Sequence, residues 1–201
     1  MILVQIGTCR ADDNVFEFVN SGIKIDKLIL VEPMKIHNEK IIDSYKNIKN
    51  VFLENVAITT DGKNEISFYY HENDGPYYEV ASTEINHILK HGYTIDKVIE
   101  IKVKSININQ LFEKHNLKDI DFLVIDSEGL DDSIIKTINF EKYNISEIYF
   151  EYLHLKNNDV YEFLEKMGYD IIRDLGKNHP NVKFSIGWSS LAIKKNFNIN
   201  K

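Results

Sequence analysis

The chain has 201 residues, enough for one well-packed α/β domain and too few for two ordinary ones. With 43% hydrophobic and 27% charged residues it is excluded from the disordered class. A formal net charge of -7 weighs against a partner held mainly through phosphates, because nucleic-acid binders carry an excess of Lys and Arg.

Cys9 is the only cysteine, so neither an intramolecular disulfide nor a cysteine-built zinc site is available. No stretch approaches the roughly 20 apolar residues of a membrane span. The first residues are apolar only briefly and carry no basic leader. A cytoplasmic domain with no nucleic-acid or membrane partner is expected.

Short β-branched runs alternate with helix-period segments, the pattern of a mainly parallel sheet covered by helices. Residues 1–6 form the first strand, which stops at Gly7. Asp12 or Asp13 then caps a helix running to about Asn20, with Val15, Phe16, Phe18 and Val19 on its apolar faces. Residues 27–32 are almost purely apolar inside, as in a strand buried on both faces, and Pro33 ends them. Ile36, Ile41, Ile42 and Tyr45 follow at helical spacing, and a third strand covers 51–56.

The middle of the chain reads as a β insertion beside the core sheet. Thr60-Asp-Gly62 is a turn signal, 65–70 alternates like a hairpin strand, 73–78 is a loop, and 98–105 alternates again. Beyond it the rhythm resumes. Ile108, Leu111 and Phe112 share a helix face, 122–126 is a buried strand ending in an acid, and Asp131 caps a helix carrying Ile134, Ile135 and Ile138. A strand at 147–151 precedes a helix with Val160, Phe163, Leu164 and Met167. Two strands at 169–174 and 185–193, joined by a loop at 176–180, make an antiparallel finish. With no linker, repeat or low-complexity tract, residues 1–201 are expected to form one domain.

Open α/β sheets bind ligands at the carboxyl ends of their strands. Gly7 lets the backbone turn and approach a ligand closely. Glu32 ends the adjacent strand, where a carboxylate can accept hydrogen bonds from both hydroxyls of a ribose. The loop 7–13 has one glycine and two acids where a dinucleotide site needs several glycines around a pyrophosphate. A ribose contact with no phosphate cradle points toward S-adenosylmethionine over NAD.

Three stretches together resemble the FkbM family of class I S-adenosylmethionine-dependent methyltransferases. They are Val4-Gln-Ile-Gly-Thr8 with Asp13, Val31-Glu-Pro33 with residues 51–57, and Ile120 to Gly129 with Ile148-Tyr-Phe-Glu151. The Ala81-Ser-Thr83 segment and residues 103–111 are similar to that family as well. The resemblance implies a Rossmann-like α/β fold, with a mainly parallel seven-stranded sheet whose last strand is antiparallel. It also implies O-methylation, commonly of sugars or of hydroxyls on natural products. Related first loops carry a second glycine, and often Asn or Asp, around positions where this chain has Cys9, Arg10 and Ala11.

On that reading Gly7 and Thr8 hold the methionine part, Asp13 its amino group, Glu32 with Pro33 the ribose, and Asn55, Val56 and Ala57 flank the adenine. Asp126 and Glu128 are the candidates for general base or for orienting the acceptor, a small molecule or glycan. Glu151 and His154 stand behind them. This carboxylate and histidine set can also hold Mg²⁺, although no spacing demands it and no metal is assigned. His37, His71, His87, His91, His115 and His179 read as surface residues. Trp188 and the tyrosines at 69, 70, 77 and 78 can line an acceptor pocket, but more often such residues are core. A homo-oligomer or a partner subunit can supply an acceptor-binding segment. Two other readings stay open: a non-catalytic nucleoside-binding module of the same fold, and an NAD-linked oxidoreductase.

Overall fold

The computed structural model describes residues 1–155, 157–175 and 189–195. The chain runs β1 (Ile2–Ile6), α1 (Asn14–Asn20), β2 (Lys27–Val31), α2 (Asn38–Ser44), β3 (Val51–Glu54), β4 (Ala57–Ile58), β5 (Glu65–His71), α3 (Ile85–Lys90) and β6 (Val98–Ile106). It continues through α4 (Ile108–Lys114), β7 (Asp119–Ile125), α5 (Asp131–Thr137), β8 (Asn144–Glu151), α6 (Asp159–Lys166), β9 (Tyr169–Ile172) and β10 (Ser189–Lys194).

Seven strands form the main sheet in the order β3-β2-β1-β7-β8-β10-β9. β1 pairs in parallel with β2 and β7, and β7 pairs in parallel with β8. β10 runs antiparallel to both β8 and β9, as expected for the last strand. This is the Rossmann-like sheet that the resemblance implies. The crossing back from β3 to β7 leaves the carboxyl ends of β1, β2 and β7 adjacent, which is where such sheets take ligands.

Alternate side chains of each strand feed two cores. Val4, Ile6, Ile29, Val31, Leu123 and Ile125 pack with Leu111 and Phe112 of α4, Ile134 and Ile135 of α5, and Leu164 of α6. Leu3, Leu28, Leu30, Phe122 and Val124 pack with Val15 and Val19 of α1 and with Ile41 of α2. Both faces are covered, so the central strands are apolar throughout. Among the described residues no helix is long and apolar enough to cross a membrane.

The insertion is a second sheet, β4-β6-β5, with its own small core of Met34, Ala57, Phe68, Ala81 and Val103. The turn at Thr60 to Gly62 closes no hairpin, because the strands on either side of it both pair with β6. The expected strand 51–56 stops short at Glu54: β3 stays in the main sheet, and the chain crosses at Asn55 and Val56 to start the second at Ala57. Helix α3 has no counterpart among the elements expected from the sequence. Its signal is Ile85, Ile88 and Leu89 at helical spacing, too short a run to stand out beside the loop before it. Residues 176–180 and 185–188, read as the final loop and the start of the last strand, lie outside the described residues, as does Trp188.

Of the two acids proposed to cap α1, Asp13 does so. Its Oδ1 accepts from the Phe16 N–H at 2.9 Å and its Oδ2 from Gln5 Nε2 at 2.5 Å. Asp13→Ala removes the cap and frees the buried Gln5 amide. It is expected to cost about 1–2 kcal/mol, read as a lower urea midpoint, with Asp12→Ala as a near-neutral control.

Candidate active site

Registers Ile6 with Val31 and Ile6 with Ile125 make Gly7, Glu32 and Asp126 the next residues of three neighbouring strands. Gly7 sits at φ +79°, and its N–H donates to the Val31 carbonyl at 3.0 Å. A Cβ on Gly7 would lie 1.7 Å from the Asp126 carbonyl oxygen. Glycine is therefore required twice over, by φ and by the close approach. A cavity of about 420 Å³ opens over this junction.

Glu32 is 6% exposed. Its Oε2 accepts from the Cys9 N–H at 2.9 Å and its Oε1 from the Met34 N–H at 2.8 Å. Burial pushes its carboxyl up to about 7, against those two bonds, which pull it down. A carboxylate has about four acceptor positions, so two remain for a ligand. Thr8 presents a buried hydroxyl with no protein partner to the same cavity. Pro33, Val56 and Ala57 line it as well, with Ile58 and Phe68 adding apolar wall.

Asp13 lines the cavity while serving as the α1 cap, so its carboxylate is already half engaged. Asn55 is not part of the wall. It exchanges amide hydrogen bonds with Asn38 at 2.7 and 2.8 Å and donates to the Glu32 carbonyl at 3.1 Å, fixing the crossover between the two sheets.

Asp126 and Glu128 both reach the cavity. Burial, then the neighbouring Glu128, Asp131 and Asp13, push the Asp126 carboxyl up to about 8. Burial, Asp126, Glu128 and Asp131 push Glu151 up to about 9. Asp126 does not cap α5. Nor does Asp131, the expected cap: Leu130 holds that position without a side-chain bond. Asp131 is instead the first helical residue, and its Oδ2 accepts from the Ser127 hydroxyl at 2.9 Å.

Counting Asp12, Asp13, Glu32, Glu79, Asp126 and Glu128, the wall holds six acids and no lysine or arginine among the described residues. Such a wall repels phosphates and suits a cation.

The insertion supplies the rest of the wall through Tyr78, Glu79, Ala81 and Thr83. Sequence periodicity gave no reason to bring them to the strand ends. Of the four tyrosines raised as pocket residues, only Tyr78 is in this wall. The first loop packs on the insertion: Arg10 lies 4.5 Å over the Tyr77 ring. Burial, then Glu32, pushes the Cys9 thiol up to about 12, which fits no nucleophile. Cys9 and Ala11 take φ of 47° and 54°, left-handed geometry that glycine adopts most readily.

The surface reading of the histidines fails for three of the six and holds for the exposed His91. His37, His71 and His115 are buried; His37 lines the cavity, and His115 Nε2 contacts Glu54 Oε1 at 2.8 Å. His87 and His91 come together with His154, while His179 lies outside the described residues. An i, i+4 histidine pair around a short helix was the signal for this cluster.

The family model described as the Methyltransferase FkbM domain matches residues 5–171. No protein of curated function matches the chain. Among solved structures the chain is similar to methyltransferase FkbM from Methylobacillus flagellatus KT. The two share 12% identity at a TM-score of 0.52, over 96% of this chain and 43% of that one. That likeness is one of fold, and the chain spans under half the length of that protein. With 5–171 matched by the family model, the chain belongs to the FkbM methyltransferase domain family.

Proposed function

We propose that the domain transfers a methyl group from S-adenosylmethionine to a hydroxyl of a sugar, glycan or other small molecule. The observation that carries this reading is the acid-lined cavity at the ends of β1, β2 and β7, with Glu32 offering two unused acceptor positions. When bound, the donor supplies a methyl group on a cationic sulfonium. The ligand fits this wall: the sulfonium and ammonium meet carboxylates, the ribose diol meets Glu32, and the adenine meets Val56, Ala57 and Phe68.

Methyl transfer is an in-line displacement, so the protein's main task is to hold an oxygen nucleophile collinear with the S–CH₃ bond at roughly 3 Å. Glu128 stands where the cavity meets the second hollow, which shares Thr83, Glu128 and Leu130 with it. The acceptor enters there. A carboxylate at that point orients the hydroxyl and takes its proton, worth about 10²–10⁴-fold.

The test is a thermal melt with S-adenosylhomocysteine, NAD and a nucleotide-sugar in parallel. At a hundred times its dissociation constant the adenosyl ligand stabilises by about 2.7 kcal/mol, raising the midpoint roughly 5–10 °C. A shift with NAD and none with the adenosyl ligand would sink the proposal. Transfer of a labelled methyl group into an alkali-stable linkage on a sugar or phenol panel checks the oxygen acceptor. Binding without turnover on any acceptor marks a non-catalytic module.

A further inference from the structure

The second hollow, about 480 Å³, is floored by side chains from three separate parts of the chain. His87 comes from α3 and His91 from its C-cap, Glu128 follows β7, and His154 lies beyond the end of β8; Glu151, at the end of β8, stands next to His154 outside the lining. We propose that His87, His91 and His154, whose donor atoms lie within 4.8 Å of one another, bind one divalent ion of the zinc class, with Glu128 as the fourth donor and Glu151 beside it.

Spacing is the first support. His87 Nε2 is 3.1 Å from Glu128 Oε2, which is 3.5 Å from His154 Nε2, which is 3.8 Å from Glu151 Oε1. Zinc takes nitrogen and oxygen ligands at 2.0–2.2 Å in a tetrahedron, which puts donor atoms about 3.3 Å apart. The observed separations bracket that value.

Unmet polar atoms are the second support. The His87 side chain is 10% exposed, and its Nε2 is fully buried with no hydrogen bond. Its 3.1 Å approach to Glu128 lacks hydrogen-bond alignment. Glu151 Oε2 is buried and unmet as well. Such atoms are costly unless something else satisfies them. His91 Nδ1 lies 3.0 Å from the His87 carbonyl, which can only accept. Nδ1 of His91 therefore carries the proton, leaving Nε2 with a free lone pair for a metal.

Imidazole donors select borderline ions over Mg²⁺, which prefers oxygen alone. Glu128 lines both hollows, so the ion sits where the acceptor hydroxyl would enter and acts on it as a Lewis acid. That use rests on the methyl-transfer reading; the binding does not.

The test is calorimetry on the full chain after EDTA treatment, titrated with Zn²⁺ and separately with Mg²⁺. One Zn²⁺ per chain is expected, weakened at least about tenfold in His87→Ala and in His154→Gln, with no saturable Mg²⁺ heat. Circular dichroism in EDTA checks that the variants fold. Should they not, the visible spectrum of Co²⁺ bound to the parent chain decides instead. Intense tetrahedral bands support the site, and a hexa-aqua-like spectrum overturns it. Zn²⁺ binding that is absent, or unchanged in both variants, also overturns it. Zn²⁺ binding without a thermal response to S-adenosylhomocysteine keeps the ion site and removes the methyltransferase reading.

Discussion

Gly7→Ala is expected to remove about 4 kcal/mol or more of folding stability, a large part of the 5–15 kcal/mol typical of a domain. The added Cβ would meet the Asp126 carbonyl oxygen at 1.7 Å. That carbonyl cannot retreat cheaply, because the Asp126 N–H donates to the Ile6 carbonyl at 3.0 Å and ties the two strand ends together. The backbone at +79° adds its own penalty of roughly 1–2 kcal/mol for a non-glycine residue. Gly22→Ala separates the two causes: Gly22 has φ +90°, and nothing lies within 4 Å of where its Cβ would stand. Urea melts should show Gly22→Ala losing about 1 kcal/mol and Gly7→Ala several times that. Equal losses would mean that the junction of β1 and β7 yields, and that close approach is not what requires glycine there.

Glu32→Ala is expected to weaken S-adenosylhomocysteine binding about 100-fold or more by calorimetry. Two hydrogen bonds from a ribose diol to a carboxylate, each worth about 1.5–3 kcal/mol, account for that loss. Glu32→Gln isolates the charge and gives a pH signature. Because burial raises the folded carboxyl to about 7 from the ordinary 4.5, the folded state holds the proton more tightly than the unfolded one. The neutral acid's contribution to stability is complete below about pH 4.5 and is lost as pH rises through about 7. For this group the loss is about 3 kcal/mol at most. The parent chain should therefore lose more stability between about pH 5 and 8 than Glu32→Gln does. Ligand affinity should move the other way, rising from about pH 6 to 8 in the parent and staying flat in the variant. Identical pH slopes in parent and variant would show that Glu32 does not titrate in this window.

The sheet and the cavity at its strand ends were largely legible in the order of residues. Apolar runs at 2–6, 27–31 and 122–125 become central strands because burial on both faces demands a continuous run, a local property of the segment. Where such a run stops, the next residue stands at the sheet's binding edge. Gly7, Glu32 and Asp126 were found that way, and they are neighbours in the structure. Asn55 shows the limit of that rule. It follows a strand, yet its amide is spent on Asn38 and on the crossover to a second sheet.

What the sequence by itself determined is the order of the central strands and the helices between them, the family and the acids at the strand ends. Each of these depends on patterns a few residues long. The tertiary structure alone decided that β4 and β5 flank β6, and that His87 and His91 of the α3 region share one hollow with Glu128 and His154, which follow β7 and β8. No local pattern encodes those meetings. They follow from which strand pairs with which across long separations, and from the packing of the insertion's small core around Met34, Phe68 and Val103.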